Sequence, residues 1–343
     1  ASEALTTFPE IIIEFTNLAY LNISNNQITH LPASIGNLQK LKILRMGGNP
    51  IKVLPASFWD LQNLEDLNLS STQIATLSDS IGNLTNLEKL DISYNHFGNL
   101  PESIKKLTKL TLLDSKSNRI TSLSHSICLL TNLSILNLQG NKISSLPDSI
   151  GMLSSLRNLN LTNNTLISLP ESIGQLTNLN ELRLRNNQLS QLPSSFGQLN
   201  NLLKVDLAVN QLRILPESIG QLDSLKTLIL SNNQIEKLPE SIGQLSKLKE
   251  LYLSSNKLST LPNSFWNLKN LNTVNLTFNS LTALPESIGQ LINLYALDLR
   301  FNQLIDLPDA IFKLEKLSRL CLKNNQLSDD LMKRVPNCVF ETE

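Results

Sequence analysis

Residues 18–32 read LAYLNISNNQITHLP, and the pattern returns every 23 residues without insertion or deletion. The leading leucine recurs at 18, 41, 64, 87, 110, 133, 156, 179, 202, 225, 248, 271, 294 and 317, and all fourteen are Leu. The asparagine eight residues on recurs from Asn26 to Asn325, with Thr72 the one exception. Ahead of the array, Phe8-Pro9 to Phe15 keep the same register as a partial unit. A fixed period of this length signals a solenoid, in which a unit buries its apolar edge only against its neighbours. That overrides the two-domain prior suggested by 343 residues.

Each unit divides into two halves. In the first, Leu21 and Ile23 alternate with polar Asn22, which predicts a strand with one buried face. Successive strands stack in parallel. The turn asparagine points inward, where its amide can bond backbone groups of adjacent units, so the column is expected to act as a ladder. Thr72 has one hydroxyl in place of an amide, and a local weakness is expected there. The second half reads LPESIGQL. Proline suits the first position of a short helical turn, and Ile173 and Leu176, three apart, share an inward face. Eleven of thirteen complete return segments carry Pro, with Ser78 and Ser124 as replacements. Trp59, Trp266 and Phe312 stand where other units have Gly and read as convex packing variants. A narrow strand half and a wider return half predict curvature with the sheet on the concave side. The expected α/β organisation is a partial repeat or cap over 1–17, fourteen repeats over 18–327, and a C-terminal cap over 328–343. Ala1–Thr7 looks too weak to cap well. Ser328–Arg334 reads as a short helix stopped by Pro336, with Leu331, Val335 and Phe340 covering the last repeat.

The unit LxxLxLxxNxLxxLPxSIGxL is similar to the 23-residue class of leucine-rich repeat, over essentially Phe8 to Leu327. It resembles the arrays of intracellular Ras-group leucine-rich-repeat scaffolds and of effectors of intracellular bacterial pathogens. The resemblance implies a horseshoe of about fourteen parallel strands with short helical or 3-10 turns behind them. As partner it implies a cytosolic signalling protein or small GTPase, or a host protein if the chain is a bacterial effector.

Composition bounds the rest. Apolar content is 41% but aromatic content only 5%, so the core must be aliphatic. Lys+Arg and Asp+Glu are equal at 29 each, which gives no global pull on nucleic acid or anionic membrane. No apolar run reaches the length of a membrane span. Cys128, Cys321 and Cys338 are scattered and odd in number, which favours a reducing compartment. Asn-X-Ser/Thr occurs at Asn22, Asn68, Asn83, Asn132, Asn160, Asn163 and Asn275. Four of these (Asn22, Asn68, Asn160, Asn275) fall on the strand face, where glycans would obstruct a partner. The expected setting is the cytosol, or a bacterium that secretes the chain into a host cytosol.

Scaffold positions are fixed, so specificity falls to offsets 2, 4, 6 and 7 from the leading leucine. Three groups there stand out. At the C-terminal end are Tyr252, Phe278, Asp298, Arg300, Phe301 and Arg319; aromatics and Arg are what interface hot spots are made of. The competing reading has Phe278 and Phe301 simply packing on each other. The central group is Glu181, Arg183, Arg185, Lys204 and Asp206. Two Arg on one strand suit carboxylates or phosphate, while the neighbouring acids suggest a self-neutralising surface. The third, Arg45, Asp66, Lys89, Asp91, Tyr94, Asp114 and Lys116, is mixed. Beside it Ser115 replaces an inward apolar residue and Leu112 takes an outward place, which marks units 3 to 5 as the least regular.

No catalytic constellation is legible. His125 and Cys128 are three apart on a convex turn, but a nucleophilic pair needs an orienting third group and a pocket, and the pair reads as unrelated surface residues. A metal site would need more ligands. There is no G-x-x-x-x-G-K-[ST] and no G-x-G-x-x-G. Cys321 is expected at an exposed strand position with nothing to lower its pKa. No ubiquitin-ligase domain of the kind some bacterial relatives carry is expected after the array. The sequence therefore predicts a non-catalytic protein-interaction module without cofactor, metal, nucleic-acid binding or membrane insertion. The rival expectations are an extracellular ligand-sensing ectodomain and a targeting domain of a larger enzyme.

Overall fold

The computed structural model describes residues 4–328 and 331. The chain divides into two compact units, residues 1–166 and 167–343. The first carries β1 (Tyr20–Asn22), β2 (Ile43–Arg45), β3 (Asp66–Asn68), β4 (Lys89–Asp91), β5 (Leu112–Asp114), β6 (Ile135–Asn137) and β7 (Asn158–Asn160). The second carries β8 (Glu181–Arg183), β9 (Lys204–Asp206), β10 (Thr227–Ile229), β11 (Glu250–Tyr252), β12 (Thr273–Asn275), β13 (Ala296–Asp298) and β14 (Arg319–Cys321). Within each unit the strands run parallel in chain order, each residue level with the one 23 earlier, as Thr227 with Glu250 and Leu251 with Val274. This is the fourteen-strand leucine-rich-repeat pattern read from the sequence.

Among the described residues the return halves are single 3-10 turns of five residues, such as Glu217–Gln221. The prolines do not occupy its first position, as the sequence had suggested. Pro216 stands just outside, extended at ψ 151°, and its carbonyl accepts the Ile219 amide at 3.0 Å. Proline fits there because its φ is fixed and it lacks an N–H that would need a partner. Ser78, one of the two replacements, accepts the Ser80 amide with its own hydroxyl at 3.1 Å.

The core is mainly aliphatic, with Phe58, Phe97, Phe196 and Phe265 also fully buried in it. The twelve leading leucines from Leu41 to Leu294 have no exposed surface, while Leu18 and Leu317 at the ends of the array are partly exposed. Each fully buried leucine contributes about 1.5–3 kcal/mol, and it reaches that state only with a neighbour on both sides. At the N-terminal end Phe8 is buried, yet Ile11 and Phe15 are 59% exposed. Of the expected C-terminal helix, Leu331 is buried and its amide reaches the Ser328 hydroxyl at 3.3 Å. Val335, Pro336, Cys338 and Phe340 lie outside the described residues, as do Asp329, Asp330 and 332–334.

The asparagine column forms the expected ladder. Asn256 is typical. Its Oδ1 accepts the Ile235 amide at 3.0 Å, and its Nδ2 donates to the Leu230 and Leu253 carbonyls, each at 3.0 Å. The asparagine of one repeat therefore completes the backbone of the repeat before it. At Thr72 the rung is rebuilt rather than empty. The hydroxyl lies 3.1 Å from the Leu69 carbonyl and 2.7 Å from Asn95 Oδ1, and the Ile51 amide turns to the Asn49 carbonyl at 2.8 Å.

A second ladder runs in the opposite direction. Glu171 accepts the Ser195 and Ser194 amides at 2.9 and 3.2 Å, and Glu286 accepts the Ala310 and Asp309 amides at 2.9 and 3.1 Å. In each case the carboxylate satisfies the open amides that begin the next 3-10 turn. The glycines of SIG recur for a steric reason. A Cβ on Gly220 would lie 2.4 Å from the Ser241 carbonyl oxygen, so adjacent turns pack closer than a side chain permits.

Candidate functional site

A three-residue strand turns its middle side chain inward and the two flanking ones onto the sheet face, so offsets 2 and 4 of every unit line that face. The chain then turns sharply. At offset 7 it enters the left-handed region, with φ between 52° and 72° at fourteen positions from Asn25 to Asn324. Asn and Gly tolerate this conformation best. Offset 4 proves to be less free than the sequence suggests. At nine units its Asn or Asp accepts the backbone amide two residues on, as with Asn22, Asn68, Asn160 and Asn275. The column thus shapes the turn. Asp206 and Asp298 belong to it, capping Ala208 and Arg300 at 3.0 and 3.2 Å. The four strand-face Asn-X-Ser/Thr sequences are a by-product of this local bonding, because Ser or Thr at offset 6 suits the turn.

The central group comes together and neutralises itself in part, with three bases against two acids. Glu181 stands level with Lys204, and Arg183 with Asp206. The Arg183 guanidinium bonds Glu181 at 2.9 Å, and Lys204 Nζ lies 3.8 Å from the same carboxylate. Arg185 is exposed in the turn beyond. Alternation of sign explains the pairing, and exposed pairs of this kind contribute about 0–1 kcal/mol.

The C-terminal group is only partly brought together. Tyr252, half-buried on β11, is level with Asn275, which is level with Asp298, so one strand, the one that leads into Phe278, separates Tyr252 from Asp298. Burial raises the Tyr252 phenol above its ordinary value, with Glu250 adding to the effect. Arg300 is held bidentately by Asp298, at 2.7 Å from NH2 and 3.0 Å from Nε. Phe278 and Phe301 both occupy the left-handed offset 7, at φ 55°. Their rings stack with centroids 4.1 Å apart and planes 11° from parallel, yet they remain 52% and 39% exposed. The two rings do pack on each other, and the pair still presents a large apolar surface to solvent. Arg319 lies exposed on β14. Lys323, exposed in the turn after β14, was not singled out from the sequence; its carbonyl accepts the Phe301 amide at 3.0 Å, so it adjoins the rings. Its place at offset 6, one unit beyond Arg300, was the signal.

In the first unit the third group is mixed, as expected. Arg45 pairs with Asp66 at 2.7 Å, and Lys116 lies 3.7 Å from Asp114 and 5.2 Å above the Tyr94 ring. Ser115 has no exposed surface, and no partner for its hydroxyl is found among the described residues. Leu112 stands level with Ile135 on the sheet face.

Two expectations, both for cysteines, are corrected. Cys128 is not a surface residue: it is fully buried at the Gly position of its turn, and burial pushes its thiol pKa up, opposed by the Ser149 hydroxyl. A neutral, enclosed thiol is a poor nucleophile. Cys321 is buried on the sheet face rather than exposed. Among the convex variants, Trp59 and Trp266 are buried edge-on against Phe58 and Phe265, at 5.1 Å between centroids, while Phe312 is 41% exposed. Among the described residues no helix is long and apolar enough to cross a membrane.

Comparison with known proteins agrees with the geometry. A leucine-rich-repeat region model matches residues 10–95 and 204–280, and a second leucine-rich-repeat model matches 85–143 and 131–189. No curated protein sequence matches the chain. Among solved structures, a leucine-rich-repeat protein of Leptospira interrogans is 33% identical, with a TM-score of 0.70 over 97% of this chain and 98% of that one. A plant peptide hormone receptor in complex with its peptide RGF2 is 28% identical, with a TM-score of 0.67 over 97% of this chain and 64% of the receptor. YopM of Yersinia enterocolitica is 25% identical, with a TM-score of 0.64 over 90% of this chain and 70% of its own.

Proposed function

The chain belongs to the leucine-rich-repeat family, and we propose that it is a non-catalytic module holding a folded protein partner on the strand face of β11–β14. One observation carries the reading: two phenylalanine rings stand stacked and exposed beside arginine at the edge of that face. Exposed apolar groups scattered singly are ordinary on a protein surface, whereas two in contact form a patch of the kind that marks interaction sites. Aromatic and arginine side chains are also the residues that dominate binding energy at interfaces. The partner we favour is a cytosolic signalling protein or small GTPase, or a host protein if the chain is a bacterial effector. The two described cysteines, both free and buried, support a reducing setting.

Affinity capture followed by mass spectrometry supplies the partner, and a triple variant tests the surface. Phe278→Ala, Phe301→Ala and Arg300→Ala together are expected to weaken capture about tenfold or more. Undiminished binding by the folded variant removes the assignment. A second reading, peptide sensing by an ectodomain, draws support from the likeness to the peptide hormone receptor. It expects a short extended peptide rather than a folded protein as the captured species.

A further inference from the structure

The residue after each leading leucine stands in a column beside the starts of the strands. In the second unit Leu203, Lys226, Lys249, Asn272 and Tyr295 follow one another there, each amide bonding the carbonyl of the one before at 2.8–2.9 Å. Lys226 and Lys249 therefore stand side by side where β10 and β11 begin, about 4.8 Å apart. Like charges so placed are destabilising. The same column in the first unit pairs Lys42 with Glu65 at 2.8 Å. An opposite-charge pair is thus open to the fold at this place, and the second unit forgoes it.

The excess of charge extends beyond this pair. Among the two residues before and the one after the leading leucines at 202, 225, 248 and 271 stand four lysines, Lys226, Lys247, Lys249 and Lys269, and one acid, Asp223. That is a formal charge of +3 in a chain whose total is zero. All four lysines are exposed, and none forms an ion pair among the described residues. Glu250, next to Lys249 in the chain, instead accepts the Thr227 hydroxyl at 3.2 Å. At the two ends of the column Leu203 and Tyr295 are 37% and 51% exposed. Four steps of about 4.8 Å make the line about 19 Å long, the reach of about six extended residues.

We propose that this edge is a second docking surface, which takes an extended acidic segment of a protein partner. Carboxylates of the segment face Lys226 and Lys249, with Lys247 and Lys269 beside them, and apolar side chains rest on Leu203 at one end and Tyr295 at the other. Charge complementarity selects the occupant: a neutral segment gains nothing from the lysines, and a basic one is repelled by them. The line is one residue wide and ends in apolar groups. That fits an extended chain better than a bilayer or a duplex, whose charges spread over a plane or a rod. The edge shares no residue with the Phe278–Phe301 surface, so the two assignments can fail separately.

The experiment uses the whole chain and three synthetic peptides, each with Leu and Tyr separated by a run of Glu, of Lys or of Ser about as long as the column, titrated by calorimetry. The Glu peptide is expected to bind, and to weaken as salt is raised; the other two are not expected to bind. Lys249→Glu gives this column the pairing that Lys42 has with Glu65. It is therefore expected to lose about fivefold or more in affinity for the Glu peptide, while its melting temperature holds or rises. The double variant Lys226→Gln, Lys249→Gln, which removes charge without adding any, is expected to weaken the same peptide. Equal binding of the three peptides, no binding of any, or wild-type affinity in Lys249→Glu overturns the proposal. Tighter binding of duplex DNA or of phosphatidylserine vesicles through the same lysines also overturns it, in favour of a general polyanion site. If a captured protein depends on Phe278 and Phe301 while the Glu peptide does not bind, the edge assignment fails and the strand-face reading stands.

Discussion

Replacing Asn256 by Thr repeats deliberately what the chain already does at Thr72. Asn256 is 9% exposed and is bonded to backbone throughout: it accepts from the Ile235 amide, donates to the Leu230 and Leu253 carbonyls at 3.0 Å, and makes a longer contact to the Ser254 carbonyl at 3.4 Å. A threonine hydroxyl has one proton, which at Thr72 is shared between the Leu69 carbonyl at 3.1 Å and Asn95 Oδ1 at 2.7 Å, so at most the bond within its own turn is kept. It gives up the bonds to Ile235 and Leu230. Losing the acceptor for the buried Ile235 amide costs about 1–3 kcal/mol, and losing the bond to Leu230 costs about 0.5–1.5 kcal/mol. Relaxation of the kind seen at Ile51, whose amide turns to the Asn49 carbonyl at 2.8 Å, recovers part of the first loss. The expected net cost is about 1–4 kcal/mol. Guanidinium unfolding followed by circular dichroism measures it, and hydrogen exchange at the Ile235 amide locates it. An unchanged midpoint together with unchanged protection at Ile235 would refute the idea that each asparagine completes the preceding repeat.

Three further outcomes are expected. Gly220→Ala puts a methyl 2.4 Å from the Ser241 carbonyl oxygen, so adjacent turns must separate, and thermal melts should show a loss of about 1–3 kcal/mol. The carboxyls of Glu171, Glu240 and Glu102 are held below their ordinary pKa, chiefly by the Ser195 amide, the Ser264 hydroxyl and the Ser126 hydroxyl respectively. A depressed folded pKa stabilises above the ordinary carboxylate range and loses that effect as pH falls through the folded value. Melting temperature should therefore drop on acidification, and less steeply in Glu171→Gln; an identical pH profile for the variant would contradict this. Cys128, buried and with its thiol pKa raised, should resist iodoacetamide at pH 8 in the native chain and react once unfolded. Rapid native alkylation, read by mass spectrometry, would show that the turn opens.

The fold was legible because one period controls everything that repeats. The leucine column, the asparagine ladder and the parallel register all follow from a spacing of 23 that never slips. Thr72 was visible as an exception, but its repair through Asn95 was not, since a sequence does not show which neighbour will turn to fill a missing bond. The strand face was legible as a set of positions, and less so as a surface. Asp298 and Asp206 looked like partner contacts, and they prove also to bond the turn two residues on. The repeated Asn or Asp at offset 4 was the clue, obscured because it also reads as a glycosylation motif. Cys128 and Cys321 were misplaced for a related reason. Periodicity assigns a direction to a side chain, whereas burial depends on what the flanking units place beside it.

The two ladders have a consequence for how the chain is made. Each asparagine reaches back to finish the repeat before it, and each return-turn glutamate such as Glu171 reaches forward to the turn that follows. A polypeptide leaving the ribosome meets these demands in order. Its newest repeat has leucines with one neighbour and amides with no acceptor until the next 23 residues emerge. Folding during synthesis is therefore expected to advance repeat by repeat once a few have stacked, with the newest repeat left incomplete until its successor emerges.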